Sequence, residues 1–97
     1  MIRDRIEVSA TMLGGKGEPK RGVAAIERNG PGVYEIRFPP EKSVHAETYQ
    51  LAIAIVNASE PRTWVFTGSG GASIGVRIFD ARGEPIDADF QFTAERL

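Results

Sequence analysis

Glycine or proline interrupts this chain about every 8 to 12 residues, and the segments between interruptions are short and rich in Val, Ile, Phe and Tyr. That spacing is the pattern of an all-β sandwich or barrel, and no segment carries a convincing helical period. The predicted strands are Arg5 to Met12, Gly22 to Arg28, Val33 to Phe38, Thr48 to Asn57, Arg62 to Thr67, Ser73 to Asp80 and Ile86 to Ala94. Ala46 to Ala58 has the alanines for a helical turn, yet its β-branched Thr48, Ile53, Ile55 and Val56 favour a strand.

Side chains alternate across a strand, so the spacing of apolar residues assigns the faces. Ile86, Ala88, Phe90, Phe92 and Ala94 point to a core, with Asp87, Asp89, Gln91 and Thr93 on the wet side. The same rule turns Tyr34, Ile36 and Phe38 inward, with Ile6, Val8 and Ala10, and Tyr49, Leu51, Ile53 and Ile55. Two strands break the rule. Ala52, Ala54 and Val56 make the second face of one strand apolar, and Phe79 lies opposite Ile74, Val76 and Ile78 in another. Such faces ask for a further covering layer, for which another subunit is a natural candidate.

Turn residues predict two hairpins. Asn29-Gly30-Pro31-Gly32 suits a tight reversal, and Asp80-Ala81-Arg82-Gly83 suits a type I turn ending in a left-handed glycine, which pairs the last two predicted strands. Gly14 to Lys20, Pro39 to Glu47 and Gly68 to Ala72 are predicted as longer breaks, the first and third flexible by composition.

With 97 residues the chain makes one domain, 1–97, and without cysteine no disulfide reinforces its modest core. A composition of 41% apolar and 26% charged residues is that of a soluble globular chain. No run approaches the roughly 20 apolar residues of a membrane span, and the charged start Met1-Ile2-Arg3-Asp4-Arg5 is not that of a signal peptide. A net charge of -1 argues against a nucleic-acid partner, and membrane insertion is not expected.

Catalytic motifs fail on context. Gly14-Gly15-Lys16-Gly17 lacks the Ser/Thr and the helix of a phosphate loop. Gly71-Ala72-Ser73-Ile74-Gly75 fits a nucleophile elbow in letters, but its serine opens a strand and the single histidine, His45, precedes it. Glu41, His45 and Glu47 sketch a weak metal site, and Asp87 and Asp89, with Asp80 and Glu84 nearby, a calcium site. The plainer readings are a solvated loop and a polar outer face, so no metal, cofactor or enzyme activity is expected. Trp64, beside Phe66, reads first as a core anchor and second as an exposed platform for a sugar ring.

Gly32-Val33-Tyr34-Glu35-Ile36-Arg37-Phe38-Pro39 and Tyr49-Gln50-Leu51-Ala52-Ile53-Ala54-Ile55 resemble strands of bacteriophage tail-fibre terminal domains, and Val76 to Phe92 resembles their closing hairpin. The resemblance covers Gly32 to Phe92. It implies a jelly-roll-like antiparallel sandwich of about seven to eight strands, akin to complement and tumour-necrosis-factor heads, forming a homotrimer in a virion beside other virion proteins. Family members usually cap a long stalk, whereas Met1 here leads straight into charged residues and a first strand, as in an excised head or a small self-contained protein.

The expected function is therefore a non-enzymatic fibre head or virion module that binds a host-surface glycan or protein. The alternative is a capsid or tail decoration protein without its own receptor. Receptor contact is expected from Lys16, Trp64 and Ser69, in or beside the two glycine-rich loops. The trimer interface is expected at Ala52, Ala54, Val56 and Phe79, whose burial would supplement a short chain's core.

Overall fold

A computed structural model describes residues 6–45, 47–68 and 71–97. The chain forms the antiparallel β-sandwich expected from its punctuation. Its strands are β1 (Ile6–Leu13), β2 (Lys16–Arg21), β3 (Ala25–Gly30), β4 (Val33–Arg37), β5 (Tyr49–Val56), β6 (Thr63–Thr67), β7 (Ser73–Phe79) and β8 (Asp89–Arg96). One four-stranded sheet has the order β2-β1-β8-β5 and the other β3-β4-β7-β6. The hairpins β1–β2, β3–β4 and β6–β7 stay within a sheet, and the remaining connections cross between sheets.

The core follows the predicted alternation. Val8, Ala10, Met12, Tyr34, Ile36, Phe38, Ile53, Ile74, Val76, Ile78, Phe90, Phe92 and Ala94 are all buried. The Tyr34 ring meets Phe90 edge-on at 5.0 Å, and Phe92 lies 6.2 Å from Phe66 and 6.5 Å from Phe38, so aromatic contacts span the two layers. Leu51 and Ile55, expected inside, are half-buried, because β5 is the outermost strand of its sheet and no described strand flanks its free edge.

Two local expectations need correction. Lys16 to Lys20 is no flexible loop: Gly14 and Gly15 take positive φ of 58° and 79° and close a two-residue turn. That turn folds β2 back onto β1, with Leu13 opposite Lys16 and Met12 opposite Gly17. The last two strands do not pair either. The Asp80–Gly83 turn forms as expected, with Gly83 N donating to Asp80 O at 3.0 Å and Gly83 at φ 85°. The return pairing stops after a Phe79–Pro85 bridge and two bonds, from Asp80 N to Glu84 O and from Ile86 N to Ile78 O. Pro85 has no N–H to extend a ladder. Ile86 to Ala88 then crosses to the opposite sheet, where β8 inserts between β1 and β5.

Candidate functional site

One end of the sandwich holds a polar cleft of about 540 Å³ between the β1–β2 turn, the end of β5, Arg62 and the crossing from β7 to β8. Asp87 organises it. Its carboxylate accepts from Arg28 Nε at 3.0 Å on both oxygens and from Gly32 N at 2.8 Å. Gly32 has φ 68°, and a Cβ there would meet Ile78 O at 2.6 Å, so this donor depends on glycine. The Tyr34 hydroxyl accepts from Ala88 N at 3.1 Å, fixing the crossing against β4. Asp89 accepts from Gly14 N at 2.8 Å and Asn57 Nδ2 at 3.1 Å, joining β8 to the β1–β2 turn and the end of β5.

These donors decide the chemistry. Arg28 and then the Gly32 amide hold the Asp87 carboxyl below its ordinary range. The Gly14 amide and Asn57 do the same for Asp89. Acid–base catalysis by two carboxyls needs their pKa values pushed apart, and here both move down. The guanidinium beside Asp87 also opposes a calcium ion there, and among the described residues no cluster of three metal-ligating side chains occurs. The pair acts as a clamp between strands. Arg62 lines the same cleft and donates to the carbonyls of Glu60 (3.1 Å) and Pro61 (3.3 Å), while its buried Nε lacks a partner among the described residues.

A second clamp closes the opposite end. Glu7 accepts from Lys42 Nζ at 3.2 Å, Tyr49 OH at 3.0 Å and Arg96 Nε at 3.1 Å, and the Lys42 and Tyr49 contacts hold its pKa low. Arg96 also lies 5.5 Å over the Tyr49 ring. Nearby, Ser43 Oγ and His45 Nε2 are 2.9 Å apart, an exposed serine–histidine contact that lines none of the grooves described here.

The lateral side bounded by β5 and β6 differs in kind. Trp64 is 43% exposed, Val65 46% and Val56 38%, and Leu97 at 67% borders an apolar groove shared with Tyr49, Leu51 and Phe66. Trp64 is therefore not the core anchor of the first reading: on edge strand β6, Phe66 packs on the core while Trp64 extends past it. Ala52 and Ala54 are exposed beside Val56, as their polar-side register requires.

Two of the predicted receptor residues, Lys16 and Trp64, are not brought together. Lys16 is exposed beside the β1–β2 turn at the clefted end, on the side away from β6. Ser69 lies outside the described residues. Gly71 bridges Val44 at the end of the sandwich opposite Gly14 and Gly15. Phe79 is half-buried on the outer face of the β7 sheet, whereas Ala52, Ala54 and Val56 line the outer face of the other. Arg28 and Arg62 were not singled out from sequence, since only the fold sets them beside Asp87. Family models, curated proteins and solved structures give no match to this chain.

Proposed function

We propose that this chain is a non-enzymatic module that acts as an assembly of identical copies, of the fibre-head or virion kind, and meets a host-surface glycan or protein. The observation that carries the reading is the set of exposed apolar side chains on and beside the edge strands β5 and β6, Val56, Trp64, Val65 and Leu97. A chain with one small core gains most by burying such side chains against another copy. The two end clamps, with the carboxyls of Asp87, Asp89 and Glu7 all held below their ordinary range, supply rigidity rather than acid–base chemistry.

Light scattering at micromolar concentration tests the assembly, with a mass above the 10.5 kDa of one chain expected. A glycan array tests the ligand. A signal supports a glycan receptor, and an array without signal favours the decoration role.

A further inference from the structure

The free edge of β5 is nearly symmetric about Ile53 over Leu51 to Ile55, and that of β6 about its midpoint Val65. Around Ile53, β5 reads Ala on both sides and then Leu51 against Ile55. Around Val65, β6 reads Trp64 against Phe66 and then threonine on both sides. Antiparallel pairing of a strand with its own copy about a two-fold axis sets residues equidistant from the axis opposite each other, so here small residues would meet small ones and bulky apolar residues bulky ones.

The backbone agrees. Leu97 N donates to Thr48 O at 3.0 Å, so even-numbered residues of β5 face β8 while Leu51, Ile53 and Ile55 turn N–H and C=O to the open edge. Phe38 N to Ala72 O and Ile78 N to Gly32 O, both 2.9 Å, point the even residues of β7 at β4, which leaves its odd residues for β6. The register Val65 opposite Arg77 then turns the backbone groups of Trp64 and Phe66 outward. The two midpoints lie at one level: Ile53 pairs with Phe92, whose ring meets Phe66, the neighbour of Val65. That shared level is what a single two-fold axis through both centres requires.

From this geometry we infer that two copies of the chain join edge to edge, β5 on β5 centred at Ile53 and β6 on β6 centred at Val65, turning each four-stranded sheet into one continuous sheet. The pairing forms about six backbone hydrogen bonds at β5 and about four at β6, close to the roughly ten of a standard interface. Trp64 of each copy meets Phe66 of the other, and Val65 meets its own copy on the axis. No charge on either strand opposes the contact. The inference rests on the self-assembly reading and fixes its symmetry as two-fold.

Val65 supplies the test, since it is exposed on the outer face and a charge there leaves the core intact. Light scattering of the wild type should give twice 10.5 kDa. Val65→Lys alone and Val65→Glu alone should each give the single-chain mass, because like charges meet on the axis, and an equal mixture of the two should restore the dimer. Ala54→Glu, on the solvent face of the paired sheet, should remain a dimer. Amide exchange at Ile53 and Trp64 supplies a readout that needs no variant, with protection expected to rise with protein concentration. A wild-type monomer overturns both the pairing and the self-assembly reading. A trimer, or an oligomer lost in Ala54→Glu yet kept in both Val65 variants, overturns edge pairing alone. So does exchange at Ile53 that is independent of concentration in an oligomeric sample.

Discussion

The two lateral sides of this sandwich treat their strand edges in opposite ways. On one side β2 carries Lys16, Glu18, Pro19, Lys20 and Arg21, and β3 carries Glu27 and Arg28. Charges and proline on an edge discourage pairing with another chain. The same side is pinched shut: a Cβ on Gly17 would overlap the Ile26 carbonyl and lie 2.7 Å from Ile26 Cγ2. On the other side β5 and β6 have no charged residue and no proline, and an apolar groove of about 380 Å³ opens along them. One side is finished within a single chain, and the other has the features of a joint. Edge chemistry, more than total apolar content, separates a surface that stays wet from one built to be covered.

The sharpest way to break this contrast is to delete matched side chains. Ile26 on the pinched side is buried, so Ile26→Ala should cost ~2 to 5 kcal/mol, measured by urea denaturation in dilute protein. Ile55 on the open side is half-buried, and Ile55→Ala should cost less than half of that. Equal losses would show that both sides are equally packed. Gly17→Val probes the pinch itself and should destabilise by ~1 to 3 kcal/mol through overpacking, read as a lower melting temperature.

Acid provides a subtler separation. Glu7, Asp80, Asp87 and Asp89 all have lowered pKa values in the folded chain. A depressed carboxylate favours the folded state above its unfolded pKa, and that contribution is lost as pH falls through the folded value. The melting temperature should thus be flat from pH 7 to about 5 and fall below about pH 4, near the unfolded carboxylate range. Because β5 and β6 carry no titratable carboxylate, self-association should not change between pH 5 and 8. The smallest effect is expected from Trp64→Ala, within about 0.5 kcal/mol in dilute protein, since its ring is largely outside the core. A loss that grows with protein concentration would place the ring in the joint.

Alternation made the layers legible: Tyr34, Ile36, Phe90 and Phe92 announce their faces because a period of two in apolar residues has one geometric meaning. β2 was hidden because Lys16-Gly17-Glu18-Pro19-Lys20-Arg21 has no buried face, being held by its turn and its neighbour rather than by the core. The crossing after Asp80 was hidden for the opposite reason, since its turn is correct for a hairpin and the decision to leave the sheet is made by Pro85 and by Asp87 reaching Arg28 and Gly32. Alternation also gave no hint of which strands end a sheet. The clamps and the proposed joint both depend on that order, which is fixed by long-range packing.

The position of β8 between β1 and β5 has a consequence for manufacture. A ribosome delivers β1 and β5 well before β8, so one sheet has no middle until the Phe90–Ala94 stretch emerges. Until then two strands wait with unsatisfied flanks, and one of them is the uncharged β5. Pairings between residues so distant in sequence form slowly, and waiting flanks of this kind attract neighbouring nascent chains. Yield in a cell should therefore depend on how crowded the emerging chains are, with slower initiation or lower temperature favouring the properly closed product.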